Sequence, residues 1–464
     1  MPAVFLTLSV ILPCAYDVAL VERTAQSLTA AAPAERLREI LVVDDGASPA
    51  VGAVCCGARV LRHEAPRGLA AARRTGAAAA AGDVLVFFDG PAKVGADFWR
   101  PIADHLASDA RRVVAPALAA LDVDAWAAGA AEPAQAYLGF DFAAVPTDDA
   151  TDFSAVLPGG VFALRRTWWA SLGGGAADVG AVDLSLRAWR CGGDVVHEPR
   201  WTVARAALAR EAASARDVAA AARAHLGGWY DAKVPLYDAF ARLAADPAPN
   251  ATINAALATC GAPGPAPRDF EWFLHQFEHI YRDAGALPTE IFQLQHAATG
   301  RCLALPRRPW GSAGAATYVL ALEPCDNRKR RNSGQWWHGS NRKKKGECCA
   351  GLRGWNSDQC LDGDATAAAG GALATATCDL SGLRRQAAGL AAQLGLTVGR
   401  NCAVVDGAAL GLAKCERDPP PAAKWAKRFR KRPDEFKRLS LHAQMLWLSE
   451  VEDEEPPPAH VTEL

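Results

Sequence analysis

The chain has 464 residues, half of them hydrophobic, and its 50 basic residues nearly balance its 51 acidic ones. That length is too great for one ordinary core, so two or three domains are expected. The even charge balance argues against a general role on nucleic acid or on a membrane surface. No stretch approaches the roughly 20 apolar residues of a membrane span. The composition predicts a soluble, multidomain globular protein with no nucleic-acid partner.

The first half alternates short apolar runs with helical stretches, which is typical of an α/β domain with a parallel sheet. Strands are predicted at residues 6–13, 40–43, 60–62, 84–88 and 113–117, and helices at 20–31, 68–81 and 97–106. Asp45 closes the second strand and Asp89 closes the fourth. Because ligands of open α/β sheets bind at the carboxyl ends of strands, both carboxylates are candidate ligand-binding groups. We expect them to face one cleft at the ends of adjacent strands.

The second half changes character along its length. Residues 206–243 are rich in alanine and predicted to be helical, and the proline-rich stretch 246–268 is predicted to be a linker. From Ile291 the chain reads as short strands and turns, and eight of its 13 cysteines lie between Cys302 and Cys415. This scatter predicts disulfides and an oxidising compartment, because no pair of CxxC motifs supports the alternative of a zinc site.

The two ends of the chain carry different signals. Residues 1–15 lack the basic start of a signal sequence and are needed as the first strand, so any targeting segment is expected to be absent from this sequence. The segment after Trp425 has a basic run followed by an acidic, proline-rich end, which predicts disorder.

Carboxylates at strand ends suit a transferase that uses a nucleotide sugar. One can accept hydrogen bonds from the base, and another can bind a divalent cation on the diphosphate. Each aspartate alone is a weak signal, since Asp at a strand end is more often a turn former or a helix cap.

Further segments follow in a recognisable order: Ser9-Val-Ile-Leu, Arg67-Gly-Leu, Gly139-Phe-Asp-Phe142, Leu157-Pro-Gly-Gly-Val-Phe-Ala163, Leu172-Gly-Gly, Asp183-Leu-Ser-Leu-Arg-Ala-Trp-Arg-Cys-Gly-Gly193 and Phe270-Glu-Trp-Phe-Leu274. By these segments the chain resembles the polypeptide N-acetylgalactosaminyltransferases. The resemblance implies a GT-A α/β domain and a C-terminal lectin domain. It also implies transfer of GalNAc from UDP-GalNAc to Ser or Thr of an acceptor protein, assisted by Mn²⁺.

The resemblance also assigns roles to residues. Asp45 matches the residue that binds the uridine, and Arg67 lies one place from a base-side arginine. Asp89 matches the first ligand of an Asp-x-His metal motif. Gly159 and Gly160 match the loop beside the donor sugar, where the absence of a Cβ permits close approach. Cys191 is expected to pair with Cys260.

The chemistry depends on positions where this sequence departs from the family. Pro91 stands at the second metal ligand and Arg205 at the third, and neither side chain can coordinate a metal. Gly180 replaces a family glutamate, and residues 15–17 replace a His-Asn-Glu segment. His197 or Asp183 could stand in for one ligand. Arg205 could instead supply the positive charge itself.

The last third resembles three repeats of a ricin-type β-trefoil. Its expected disulfides are Cys302–Cys325, Cys360–Cys378 and Cys402–Cys415. Only the second repeat keeps an aspartate after Cys-Leu, so Asp362 is the candidate sugar-binding residue, with a plain turn residue as the alternative. Trp336, Trp337 and Trp425 are predicted to be core residues.

The sequence thus predicts a GT-A domain over residues 1–245, a linker over 246–287, a lectin over 288–426 and a charged tail over 427–464. Its expected partners are a UDP-sugar, a Ser/Thr acceptor and a glycan bound by the lectin. Its expected place is the secretory pathway, in the Golgi lumen. Two alternatives stay open, namely a non-catalytic glycan- or glycopeptide-binding protein and a metal-independent transferase with another donor. Activity is left undecided.

Overall fold

A computed structural model describes most of the chain. The described residues are 5–14, 18–139, 142, 144–147, 151–174, 180–206, 215–227, 230, 260, 267–283, 288, 290–306, 317–326, 334–339, 351–355, 359–378, 386–391, 395–407, 409–429, 433–439, 444 and 460–462. They form two compact units, one drawn from residues 1–226 and 247–273 and the other from 227–246 and 274–464. Within the described part, no helix is long and apolar enough to cross a membrane. The exact domain boundaries stay a prediction.

The first unit is built on one large sheet. Its strands are β1 (Leu8–Cys14), β2 (Leu37–Asp44), β3 (Arg59–Arg62), β4 (Val84–Phe87), β5 (Ala92–Val94), β6 (Arg112–Asp122), β7 (Ala127–Ala131), β10 (Phe162–Arg165) and β11 (Asp194–Arg205). The order across the sheet is β3-β2-β1-β4-β10-β6-β11-β5, and β7 pairs with β6. Strands β1 to β4 are mutually parallel, whereas β10 runs antiparallel to both of its neighbours. A separate hairpin joins β8 (Gln135–Leu138) to β9 (Ala144–Thr147).

Helices connect and cover these strands: α1 (Val18–Ala31), α2 (Leu69–Ala79), α3 (Trp99–Ser108), α4 (Arg166–Ser171), α5 (Ala181–Arg190) and α6 (Ala215–Leu226). Strand β1 is buried at six of its seven positions, as the unbroken apolar run of a parallel strand with both faces covered requires. The predicted elements of this region are all present. The predicted α/β class is therefore confirmed.

Two short helices follow, α7 (Phe270–Gln276) and α8 (Glu278–Asp283). The second unit is otherwise mostly strands: β12 (Phe292–His296), β13 (Cys302–Ala304), β14 (Thr317–Val319), β15 (Ala321–Glu323), β16 (Trp336–Gly339), β17 (Leu352–Gly354), β18 (Gln359–Leu361), β19 (Ala374–Thr377), β20 (Ala388–Ala391), β21 (Gly395–Val398), β22 (Asn401–Asp406), β23 (Ala409–Lys414), β24 (Trp425–Phe429) and β25 (His460–Thr462). Helix α9 (Gly363–Ala368) and helix α10 (Pro433–Lys437) interrupt them. The predicted all-β lectin class is consistent with this arrangement.

Four disulfides are present in the described residues. Cys191–Cys260 has a Cα–Cα distance of 5.2 Å. The other three each close a short loop in the second unit, namely Cys302–Cys325, Cys360–Cys378 and Cys402–Cys415. Cys348 and Cys349, for which no partner was predicted, lie outside the described residues.

The described parts of the tail are ordered, contrary to the disorder predicted from residue 427. Strand β24 continues to Phe429, whose ring packs 5.9 Å from that of Phe292. Phe436 in α10 is 1% exposed and packs with Ile291 and Trp336. The prediction rested on the charged composition, but the two phenylalanines bury enough apolar surface to hold the segment against the domain.

Candidate active site

Asp45 and Asp89 lie at the same edge of the large sheet. Asp45 follows β2 and Asp89 follows the strand β4, and both strands run parallel to β1. The two aspartates were predicted to end adjacent strands, but β1 lies between β2 and β4. Chain order alone does not give strand order, so the sequence could not show this separation. Both side chains are still at the carboxyl ends of the strands, where ligands bind.

Asp45 organises the loop before α2. Its Oδ1 accepts hydrogen bonds from the backbone N–H of Arg67 at 2.9 Å, and its Oδ2 accepts one from Gly68 at 2.8 Å. His63 Nδ1 lies 2.6 Å from Oδ1, and His63 Nε2 lies 2.9 Å from the hydroxyl of Thr75. The buried carboxylate therefore fixes the start of α2, while the side chain of Arg67 is exposed.

Asp44, the residue before it, is structural. Its carboxylate is fully buried and accepts hydrogen bonds from the backbone N–H groups of Ala47 and Val51 and from Arg62. Burial alone would raise the pKa of Asp44, but these hydrogen bonds outweigh it and hold the pKa below its ordinary value. Asp44 therefore shapes the loop after β2, whereas Asp45 contacts the loop before α2.

Helix α2 links the two aspartates. Gly68 at its N-terminus bonds Asp45, and Arg73, little more than one turn along, donates a hydrogen bond to the carbonyl of Gly160 at 2.8 Å. The guanidinium of Arg73 is 6% exposed and lies over the ring of Phe162 at 5.2 Å. An arginine buried in this way fixes the Gly159–Gly160 loop relative to α2. Arg73 belongs to no motif, and the sequence did not single it out.

Asp89 is held in a tight contact with that loop. Its Oδ2 accepts hydrogen bonds from the backbone N–H of Gly160 at 3.0 Å and from Arg205 Nη1 at 2.9 Å. A Cβ on Gly160 would lie 2.4 Å from this oxygen and 2.6 Å from Arg73 Nη2, so only glycine fits. A Cβ on Gly159 would lie 3.1 Å from Leu118 and 3.2 Å from the guanidinium of Arg205. The structure thus brings Asp89, Gly159, Gly160 and Arg205 together.

Arg205 lies between two carboxylates. Its Nη1 pairs with Asp89, while Nε and Nη2 donate to the same oxygen of Glu132, at 3.2 and 2.6 Å. Burial alone would lower the pKa of Arg205, but the charges of Asp89 and Glu132 outweigh it, and the pKa is raised. Glu132 follows β7 and was not predicted as a site residue, because no sequence pattern marks it. The pairing of β7 with β6 brings it to Arg205.

Comparison with known proteins shows which transferases the chain resembles. The family "Glycosyl transferase family 2" matches residues 9–144. Polypeptide N-acetylgalactosaminyltransferase 8 of Drosophila melanogaster is 29% identical over 199 residues, which are 38% of this chain and 34% of that protein. Polypeptide N-acetylgalactosaminyltransferase 16 of Homo sapiens is 29% identical over 37% of this chain and 35% of its own length.

A solved structure shares the fold over more of the chain. The crystal structure of GalNAc-T7 with UDP, GalNAc and Mn²⁺ superposes with a TM-score of 0.55, covering 91% of this chain and 81% of that one at 16% identity. Over somewhat more than a third of its length, the chain is similar in sequence to the polypeptide N-acetylgalactosaminyltransferases. The matches span only about a third of the lengths of the two curated relatives.

The residues present do not fit the manganese ion that the GalNAc-transferase family resemblance implies. Asp89 gives its Oδ2 to Arg205 and Gly160, and Pro91 contributes only its carbonyl, which accepts the N–H of Ala206 at 3.0 Å. No group of three or more His, Cys, Asp or Glu side chains among the described residues is arranged to hold a metal. A guanidinium therefore stands beside the one retained ligand.

The two substitute ligands considered for the metal are placed elsewhere. Asp183 in α5 is 1% exposed and pairs with Arg187 and with His225 Nε2, the latter at 2.8 Å. His197 lies at the opposite end of β11 from Arg205, and burial lowers its pKa. Gly180 precedes α5 with a φ of 72°, and the residues just before it lie outside the described range. The Ala15-Tyr16-Asp17 segment is also outside that range.

Asp362, the candidate glycan-binding residue, is 1% exposed. Its Oδ1 accepts the N–H groups of Asp364 and Ala365 at 2.8 and 2.9 Å and so caps α9, while Gln386 donates to its Oδ2 at 2.9 Å. These contacts are those of a helix cap. Sugar binding by Asp362 stays a prediction, and the geometry favours the structural alternative.

The second unit repeats its internal contacts. Trp337 Nε1 donates to the carbonyl of Leu303 at 3.1 Å, and Trp425 Nε1 donates to that of Ala403 at the same distance, each acceptor following a disulfide cysteine. In the second repeat Gln386 takes the place of Gln335. Gln386 donates to Thr377 and Gln335 to Pro324, and each acceptor precedes a disulfide cysteine. The second repeat has Ala388 where the others have tryptophan, so the sequence pattern did not mark Gln386.

Proposed function

We propose that the first unit binds a UDP-sugar and that Arg205 supplies the positive charge that a divalent cation supplies in a metal-dependent transferase. The proposed reaction is that of the family, transfer of GalNAc from UDP-GalNAc to Ser or Thr of an acceptor protein. Transfer is expected to be slow or undetectable, since two metal ligands and an acidic position are lost at Pro91, Arg205 and Gly180.

One observation carries this proposal, namely the contact between Arg205 and Asp89 at 2.9 Å. A guanidinium has five N–H donors, and the contacts of Arg205 with described residues use three of them. The other two can donate to phosphate oxygens. Positive charge at this position stabilises a departing diphosphate, which is where electrostatic help has most effect on such a reaction.

The rest of the site suits the other parts of a UDP-sugar. Asp45 sits at the N-terminus of α2 and accepts the backbone N–H of Arg67, whose side chain is exposed. These groups support binding of the uridine. Gly159 and Gly160 pack their backbone against Arg205 and Asp89, which only glycine permits at Gly160. The resemblance puts this loop beside the donor sugar. The four disulfides support maturation in an oxidising compartment, and we place the protein in the secretory pathway, in the Golgi lumen.

The test is a titration of UDP by calorimetry, with Mn²⁺ and again with chelator. Binding of equal affinity in both conditions supports the proposal. UDP binding that appears only with Mn²⁺ contradicts the proposal and supports a metal-dependent enzyme. If UDP binds in neither condition, the proposed nucleotide site is wrong. A transfer assay with UDP-GalNAc and a Ser/Thr peptide then measures turnover.

A second function is supported by a specific observation. The acidic position of the family is Gly180, and the nearby carboxylate of Asp183 is taken up by Arg187 and His225. This favours a non-catalytic protein that binds glycan or glycopeptide through its lectin unit. Binding of a GalNAc-glycopeptide without measurable transfer, in a protein that still binds UDP, supports this second reading.

A further inference from the structure

Cys55 and Cys56 are adjacent in the loop between β2 and β3, outside the site described above. Neither is in a disulfide, and among the described residues only the buried Cys14 shares that state. Cys56 is exposed and Cys55 is partly buried against the core of the first unit. The Cys55 thiol donates to the carbonyl of Glu22 in α1 at 3.8 Å, and Cys56 is its direct neighbour in the chain.

The backbone at this pair is unusual. The N–H of Ala58 donates to the carbonyl of Cys55 at 3.2 Å, which closes a four-residue turn. Its two central residues, Cys56 and Gly57, have φ values of 66° and 70°. A turn with positive φ at both central positions prefers Asn, Asp or Gly there, and cysteine is disfavoured. The chain therefore tolerates a disfavoured backbone conformation at Cys56, directly beside Cys55.

We propose that Cys55 and Cys56 form a vicinal dithiol site that is oxidised to a disulfide by a small disulfide oxidant. The exposed Cys56 thiolate attacks the oxidant, forms a mixed disulfide and releases one thiol. Cys55 then loses its proton and displaces the second thiol from Cys56. The two cysteines lose two electrons and two protons in total, and the oxidant is reduced to two thiols.

The order of attack follows from the surroundings of the two thiols. Burial and the neighbouring Cys56 raise the pKa of the Cys55 thiol to about 11, so Cys55 is a poor first nucleophile at neutral pH. Adjacent Cα atoms are about 3.8 Å apart, below the usual range of about 4.4–6.8 Å for a disulfide. A strained disulfide is reduced more readily than an unstrained one. Oxidation of the pair is thus reversible under conditions that leave the four structural disulfides intact.

The sequence makes this pair easy to isolate. Trypsin cleaves after Arg38 and Arg59, and the peptide 39–59 contains no cysteine besides Cys55 and Cys56. The full-length protein is equilibrated with oxidised glutathione, alkylated and digested. We expect peptide 39–59 to carry no alkyl group and to be lighter than the reduced peptide by two hydrogen atoms. Mild reductant restores double alkylation while the other disulfide-linked peptides stay linked.

Single cysteine variants test the proposed order of attack. In Cys55→Ser, Cys56 keeps one glutathione, because no thiol remains to displace it. In Cys56→Ser, Cys55 stays free and is alkylated. Cys14→Ser serves as the control and leaves peptide 39–59 oxidisable. Double alkylation after oxidation, a retained glutathione on the unmodified sequence, or a link from peptide 39–59 to another cysteine peptide would each overturn the proposal.

Discussion

Arg205 holds its charge between the carboxylates of Asp89 and Glu132, and this arrangement governs what can bind beside it. Asp89 is 1% exposed at its side chain, so its negative charge depends on a nearby cation or on hydrogen bonds. In a metal-dependent site that cation is an exchangeable metal ion. In this chain the cation beside Asp89 is the side chain of Arg205. The first three predictions concern this group of residues.

We expect Arg205→Gln to weaken UDP binding about tenfold or more, because one charge-assisted contact to phosphate contributes about 1.5–3 kcal/mol. Arg205→Lys keeps the charge and is expected to retain part of the affinity. The measurement is UDP calorimetry in chelator. Arg100→Gln, which changes an arginine with a 62% exposed side chain, is the matched control. Equal UDP affinity in Arg205→Gln and the unmodified protein would contradict the proposed contact between Arg205 and the phosphates.

Restoring two ligands should restore dependence on manganese. Pro91 precedes Ala92, which pairs with Arg205 across β5 and β11, so the two positions are neighbours in the sheet. In the double variant Pro91→His, Arg205→His we expect UDP affinity to rise with Mn²⁺ and fall with chelator. The single variants are expected to show neither response. A single variant that responds as strongly as the double one would show that the other position is not a ligand.

Gly160→Ala tests the packing of the loop against Asp89. The new Cβ would lie 2.4 Å from Asp89 Oδ2, so either the loop or the carboxylate must shift. We expect loss of UDP binding and a lower unfolding temperature. Gly52→Ala is the control, because a Cβ at Gly52 meets no atom within 4 Å. Unchanged UDP binding in Gly160→Ala would mean that the loop is not part of the nucleotide site.

At the scale of elements, α5 and α6 are joined by a buried charged group. Asp183 pairs with Arg187 within α5 and with His225 of α6, and both Asp183 and His225 are 1% exposed. Burial, followed by the repulsion of Arg190 and Arg187, lowers the pKa of His225 despite Asp183. Burial alone would raise the pKa of Asp183, but Arg187 and His225 lower it.

These shifts set a direction for pH dependence. Since the folded pKa of His225 lies below its unfolded value of about 6.5, its contribution to stability is present above about pH 6.5 and is lost as pH falls. The carboxylate of Asp183 adds a further loss below about pH 4. We expect the free energy of unfolding, measured in urea, to fall between pH 7 and pH 5, by up to about 1.4 kcal/mol per pH unit. His225→Gln should flatten this fall. His275→Gln, at a side chain 52% exposed, should not.

The strands and helices of the first unit could be predicted because their apolar runs are long and bounded by turn residues. Glu132 could not be predicted, because it follows a strand of alanine and glycine and belongs to no motif. It reaches Arg205 only because β7 folds back on β6. Asp45, Asp89 and both glycines were found through their motifs. The ion pair that changes their chemistry depends on contacts 73 and 116 residues apart in sequence.

At the scale of the whole molecule, the tail shows where composition misleads. Phe436 lies in a charged segment but is buried with Ile291 and Trp336, which are far from it in sequence. Phe436→Ala is expected to lower the free energy of unfolding by about 3–5 kcal/mol, measured on the full chain by chemical denaturation. Val319→Ala, at a side chain 48% exposed, is the control. If the two substitutions lower the free energy of unfolding equally, the tail does not stabilise the second unit.

The pairing of Arg205 with Asp89 and Glu132 also bears on how reversible this divergence is. A lone change of Arg205 to histidine would remove the cation from two carboxylates before a complete metal site exists. A lone change of Pro91 to histidine would place an imidazole beside a guanidinium that repels any divalent cation. Neither single change is therefore expected to improve metal binding, because each meets the salt bridge or the missing ligand that the other change would remove.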